Sequence, residues 1–208
     1  MRIIEPRVEI LSDVDEKKII RNIEVCGRVC YKSENLITEE SAEKFVKGII
    51  ASGHESVLEH EKLTIKFICD RGVSHEIVRH RIASYSQEST RYCNYNKEKF
   101  GKELTLIKPF FWNEDEKKYK IWLEVMQKIE NSYNDLITLG AKPEEARSIL
   151  PNSLKTEIVV TMNMRELRYF LRIRTSKKAH PQMREVAIML LKYVKEKLPV
   201  LFDDISEE

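Results

Sequence analysis

Residues 79–92, RHRIASYSQESTRY, gather the groups in this chain best suited to chemistry. Three arginines, one histidine, four Ser/Thr hydroxyls, one Gln, one Glu and two tyrosines fall within 14 positions. A polar surface loop ordinarily favours Lys, Asp and Gly, whereas every cation here is Arg. A guanidinium is a permanently charged planar fork that meets phosphate or paired carbonyl oxygens bidentately. The composition points to an anion site, with a surface salt-bridge network as the alternative. Further cations stand at Arg165, Arg168, Arg172, Arg174, Lys177 and Lys178. The first three are spaced three and four apart and share a helix face, which reads as a solvated basic face or as more of an anion site. Arg147 lies near the start of a short helical stretch, where a cation is mildly unfavourable, so a specific partner accounts for it better than helix stability does.

Other chemistries lack their motifs. The six glycines form no GxGxxG, and there is no GxxxxGK[ST], GxSxG or HExxH, so a Gly-rich loop is not what would cradle a phosphate. His54, Glu55, Glu59, His60 and Glu61 crowd together, with His75, Glu76 and His80 near in sequence. These are donors for zinc or iron, but their spacing fits no standard metal motif. No metal is expected, and His54 and His60 are read as local hydrogen-bonding groups. Two rival readings remain: a polynucleotide-binding module built on the arginines, and a metal-dependent nucleotide hydrolase built on residues 54–60. A net charge of +2 gives little long-range pull on nucleic acid. Cys26 and Cys30, four apart, read as two buried thiols on one helix face, Cys69 and Cys93 form no CxxC pair with them, and free thiols suit a reducing cytoplasm. No secretory h-region and no run of about 20 apolar residues is visible, so a soluble cytoplasmic protein is expected.

The elements that must position these groups follow from periodicity. Residues 2–11 read as one edge strand containing Pro6. Ser12 or Asp13 is expected to cap a helix carrying Ile19, Ile20, Ile23, Cys26, Val29 and Cys30. A helix over 38–52 buries Phe45, Val46, Ile49 and Ile50 and stops at Gly53. Strands are expected at 63–69, 104–107 and 156–162, and helices at 113–139 and from Pro143, Asn163 and Pro181 onward. Asn163 with Glu166 resembles a capping box. The acidic tail 203–208 is expected to fray. Mixed helices and antiparallel-looking strands without βαβ regularity predict a single α+β domain over 1–208, its sheet packed with helices.

Four elements, in order, resemble one family. Arg79–His80–Arg81, then seven residues, then Ser89 is similar to the signature of the flavin-dependent thymidylate synthases. GHESVLEH at 53–60, ARSILP around Arg147, and NMREL followed by FLRIRTS through Arg174 resemble further family elements. The chain differs at Glu76, where many members have Gln, at Ser86–Gln87, where Asn–Glu is common, at Val57, and over 177–185 around His180. The resemblance implies an α+β homotetramer with active sites shared between subunits, acting on small molecules rather than nucleic acid or membranes. It implies methylation of dUMP to dTMP with FAD as hydride carrier, NADPH as reductant and methylenetetrahydrofolate as carbon donor. Carried over by position, FAD would meet Ser56, Arg79, His80, Arg81, Gln87, Asn163 and Arg165. dUMP would meet Glu76, Arg79, Gln87, Ser89, Arg91, Arg147 and Arg174. Arg174 is the catalytic candidate, beside the N3 edge of the uracil, and Arg91 and Arg147 suit the phosphate. Ser89 is read as a hydrogen-bond donor rather than a nucleophile, because no His–Asp pair is evident to activate it. Cys93 is read as structural.

Overall fold

Pro6 decides how the fold begins. Proline has no N–H to give to a ladder, and the run 2–11 breaks there into β1 (Arg2–Ile4) and β2 (Arg7–Ile10). The computed structural model describes residues 1–98, 101 and 103–207. β1 pairs in parallel with β5 (Thr105–Ile107), Ile3 opposite Leu106. β2 is the edge of a four-stranded sheet in the order β2-β3-β6-β4, with β3 at Lys62–Asp70, β4 at Ala83–Gln87 and β6 at Lys155–Asn163. Thr64 meets Thr161 hydroxyl to hydroxyl at 2.9 Å, while Arg71 N–H, further along, reaches the Leu154 carbonyl at 3.1 Å. Positions rise along β3 as they fall along β6, so the pair is antiparallel. The architecture is α+β with a mainly antiparallel sheet; the β1–β5 pair is a parallel exception.

The chain divides into two compact units. The first comprises Met1–Arg7, Phe67–Arg79 and Ser86–Ile158. Its core is Tyr95, Leu104, Leu106, Met126, Tyr133, Ala146 and Leu154, with Cys93 packed against it. α4 (Lys117–Thr138) supplies Met126 and Tyr133 to that core, together with buried Glu130, whose carboxylate accepts the Leu104 N–H at 2.9 Å. α3 (Arg71–Ile77) starts where the Asp70 carboxylate accepts the Val73 N–H at 2.7 Å, satisfying one of the orphan donors of a helix N-terminus. α5 is only Pro143–Ala146, followed by a tight turn at Arg147–Ile149. Arg147 therefore sits at the C-terminal end of its helix, where a cation is favourable, and the expected electrostatic penalty does not arise.

The second unit comprises Val8–Lys66, His80–Tyr85 and Val159–Glu208. α1 (Glu16–Arg28) is capped by Asp15, which accepts the Lys18 N–H at 3.2 Å. Ser12, an expected cap, instead accepts the Thr64 N–H at 2.8 Å. α2 (Ser41–Ala51) ends before Gly53, whose φ of +71° is a left-handed conformation that glycine adopts without strain. Of its expected core positions only Val46 is fully buried; Phe45, Ile49 and Ile50 are half-buried. A tight turn at Glu55–His60, α6 (Met164–Arg174), α7 (Pro181–Lys197) and α8 (Pro199–Phe202) complete the unit. His180 begins α7 by accepting the Gln182 N–H at 3.3 Å.

Arg168 of α6 overturns two expectations. Its side chain is 0% exposed rather than part of a solvated basic face. Asp204 takes it bidentately at 2.7 and 2.6 Å, Glu55 accepts from Nε at 3.4 Å, and the Leu201 carbonyl accepts from Nη1. The acidic segment 203–207 therefore does not fray: Asp204 is an ion-pair partner and Ile205 is buried. Glu208, the last residue of that tail, lies outside the described residues. Burial pushes the Asp204 carboxyl up, but the bonds and charges of Arg168 and Arg172 outweigh it and hold it below its ordinary value. A carboxyl lowered on folding contributes stability above its unfolded pKa and loses it as pH falls through the folded one. We expect Asp204→Ala to cost on the order of 2 kcal/mol, between exposed and buried ion pairs because Asp204 is partly exposed. A lower urea midpoint at unchanged slope would show it, and the difference from wild type should shrink as pH is lowered below about 4.

Candidate active site

His80, the middle residue of the signature, is buried in the second unit. Its ring stands edge-on to Phe170 with centroids 4.9 Å apart, and the Tyr85 hydroxyl of β4 donates to its carbonyl. Nδ1 lies 3.0 Å from Glu166 Oε1, and Arg174 Nε donates to Nε2 at 3.0 Å. Arginine has no acceptor, so Nε2 must carry the lone pair and the proton sits on Nδ1, donated to Glu166. The three side chains form one directed chain, Arg174 to His80 to Glu166. Burial lowers the His80 pKa, the Glu166 hydrogen bond opposes that, and the Arg174 charge lowers it again; the result is below the ordinary imidazole value. The ring is therefore neutral at neutral pH.

α6 arranges this by spacing. Glu166, Phe170 and Arg174 recur every four residues and share one helix face. Asn163 caps the helix, its Oδ1 accepting the Glu166 N–H at 2.8 Å. The capping box read from sequence is only half formed, because the Glu166 carboxylate is engaged with His80.

Ser56 and Arg165 border one cavity of the second unit, about 420 Å³, together with Tyr31, Phe45 and His54. Arg165 is half exposed and reaches Glu59 at 2.6 Å. Cys30 also borders this cavity and is exposed, and Cys26 is only half-buried, so the two are not the buried thiols expected. The reason is local: α1 ends at Arg28, and Cys30 falls in the following tight turn at Val29–Tyr31. Arg81 is exposed.

The first unit holds most of the remaining set. Gln87, at the end of β4, donates to Ser74 Oγ at 2.9 Å and Thr156 Oγ1 at 3.2 Å. Ser89 Oγ accepts the Arg91 N–H at 3.3 Å and the Ser89 carbonyl accepts the Cys93 N–H at 3.0 Å, so a turn presents Arg91. Arg91 Nη2 lies 3.8 Å from Glu144, and Arg147 Nη1 donates to Thr90 Oγ1 at 3.5 Å. Two exposed guanidinium groups, 56 positions apart in sequence, are thereby brought to one place. Arg79 is exposed, and its N–H closes a turn onto the Glu76 carbonyl at 3.2 Å. Glu88 was passed over in the sequence. It accepts from Lys155 Nζ at 2.8 Å and from the Tyr95 hydroxyl at 3.0 Å, which anchors the segment bearing Gln87, Ser89 and Arg91. No sequence signal links Glu88 to Lys155, 67 positions away. Among the described residues, no group of three or more His, Cys, Asp or Glu side chains is arranged to hold a metal ion.

These features define an α+β protein whose first unit brings two exposed arginines, Arg91 and Arg147, together. The family described as thymidylate synthase complementing protein matches residues 13–200, and the chain belongs to that family. A flavin-dependent thymidylate synthase from Pyrococcus furiosus is 40% identical over 166 residues, 79% of this chain and 67% of that one. Another, from Geobacter sulfurreducens, is 34% identical over 189 residues, 88% of this chain and 80% of its own. The fold is similar to that of PolB from Streptomyces cacaoi, a UMP/dUMP methylase bound with 5-Br dUMP, with a TM-score of 0.78 at 20% identity, covering 98% of this chain and 96% of that one. Helices of the described residues are all too short or too polar to cross a membrane.

The α6 cap gives a direct test. Asn163→Ala should cost about 1 kcal/mol, the usual worth of an N-cap, read as a lower denaturation midpoint. Asn163→Asp, which keeps the acceptor, should recover most of it.

Proposed function

We propose that this chain methylates dUMP to dTMP with FAD, taking the carbon from methylenetetrahydrofolate and the reducing equivalents from NADPH. Support comes from the intact Arg79–Ser89 signature in a chain of this family, combined with the meeting of Arg91 and Arg147 around Thr90 and Glu144. Paired guanidinium groups suit a nucleotide monophosphate, where positioning matters more than reactivity. The residues around the second-unit cavity fit a flavin cofactor: Tyr31 and Phe45 offer aromatic faces, Ser56 a hydroxyl and Arg165 a cation for a diphosphate. Arg79, His80, Arg81, Gln87 and Asn163 complete the proposed FAD set; Glu76, Arg79, Gln87, Ser89, Arg91, Arg147 and Arg174 form the dUMP set. The flavin, when bound, supplies the hydride that turns the transferred carbon into a methyl group.

The protein's part is orientation and electrostatics. For C5 of uracil to attack a one-carbon donor, the ring must gain electron density. Arg174 beside N3 stabilises the ionised ring and the charge that grows on its oxygens. Ser89 donates a hydrogen bond to dUMP. A homotetramer with shared active sites, in the cytoplasm, completes the reading.

The visible spectrum of the purified protein, with FAD supplied, is the first test. Flavin bands that bleach with NADPH and return in air, followed by dTMP formation, support the reading; no flavin uptake in the presence of dUMP overturns it. Arg174→Ala should keep flavin and lose roughly a hundredfold or more in kcat, and near-normal dTMP formation would remove its assigned role. Ser89→Ala should retain measurable turnover, whereas complete loss with intact dUMP binding would make Ser89 a nucleophile.

A further inference from the structure

We propose that Glu166 is a positioning residue for the reaction: through His80 it fixes the guanidinium of Arg174, with His80 serving as a neutral hydrogen-bonded spacer. The inference rests on the proposed role of Arg174 and extends it to a residue outside the substrate and cofactor sets.

The argument is one of hydrogen-bond direction. Arg174 can only donate, so its orientation needs an acceptor at a fixed place. His80 Nε2 is one such acceptor, taking the bond from Arg174 Nε at 3.0 Å. An imidazole offers an acceptor on Nε2 only in the tautomer protonated on Nδ1. Glu166 selects that tautomer, because its carboxylate lies 3.0 Å from Nδ1 and can only accept when ionised. Tyr85, donating to the His80 carbonyl, and Phe170, packed against the ring, hold the imidazole in place. Among the described residues, the titratable and charged groups facing His80 include Glu166 and Arg174 of α6, with Tyr85 of β4 at its carbonyl and the Tyr169 ring 5.9 Å away. A proton added at Nε2 would turn the acceptor into a donor aimed at a guanidinium. The chain would then break and Arg174 would lose this acceptor.

Glu166→Gln is the informative variant. It keeps size and an acceptor for Nδ1–H but removes the carboxylate charge that favours protonated His80. We expect kcat to fall about tenfold while KM for dUMP changes less than about twofold. The acid limb of the kcat profile should move to lower pH, because a neutral partner favours the imidazolium less. A folded variant with wild-type kcat and an unmoved acid limb would overturn the proposal, as would an effect confined to KM. Nitrogen NMR of the labelled wild-type chain gives a readout independent of turnover. His80 should be neutral at neutral pH, with its proton on Nδ1; a proton on Nε2 would overturn the proposal even if the enzyme is active. If wild type makes no dTMP, the functional reading fails by itself and the NMR result still decides whether Glu166 orders His80 against Arg174. The same measurement decides the matter if Glu166→Gln does not fold.

Discussion

A fully buried guanidinium governs the architecture of the second unit. Arg168 cannot lose its charge, and an unpaired charge in that position would cost several kcal/mol. Its donors must therefore be matched, and the matching groups come from separate places: Glu55 in the turn after α2, the Leu201 carbonyl of α8, and Asp204 beyond it. A single side chain of α6 ties the turn carrying Ser56 and Glu59 to the C-terminal segment. Glu55 is also shared with Arg172, so the network closes on itself. The turn that lines the candidate flavin cavity is placed by an ion pair whose members lie outside the proposed FAD and dUMP sets.

α6 serves several purposes at once because its faces differ. One face carries Arg168 into the ionic network. Another carries Glu166, Phe170 and Arg174 to His80, and Arg165 near its start borders the cavity and reaches Glu59. Arginines that look equivalent along a sequence thus divide into a structural cation, a member of a hydrogen-bond chain and a half-exposed cation beside a cavity. Burial, and not residue type, separates their roles.

The first unit solves a simpler problem. It must hold a polar segment, 87–93, still enough to present Arg91. Glu88 does this by accepting from Lys155 and Tyr95, while Gln87 is held by Ser74 and Thr156. Burial lowers the Lys155 pKa, but the Glu88 and Glu157 carboxylates outweigh it and raise it, so Lys155 stays charged. The proposed substrate contacts would be made by side chains already fixed by their neighbours, which reduces the entropy that binding must overcome.

The sequence by itself determined the family, the α+β class and most of the element order, because period-two alternation in β3 and β6 and caps such as Asn163 are local signals. It also singled out the arginines, since a motif fixes identity and spacing directly. The breaking of 2–11 at Pro6 was legible in kind but not in consequence: only strand pairing sends β1 and β2 to different sheets. β4 was missed because its alternation is carried by Ala83, Tyr85 and Gln87 against serines, with no apolar contrast to reveal it. Roles that depend on burial or on a distant partner were decided by tertiary structure alone. Arg168 became a buried ion-pair centre, the acidic tail became its clamp, and Glu166 turned from a capping partner to the acceptor that orients His80. Each of these depends on a contact across tens of residues, which no local pattern encodes.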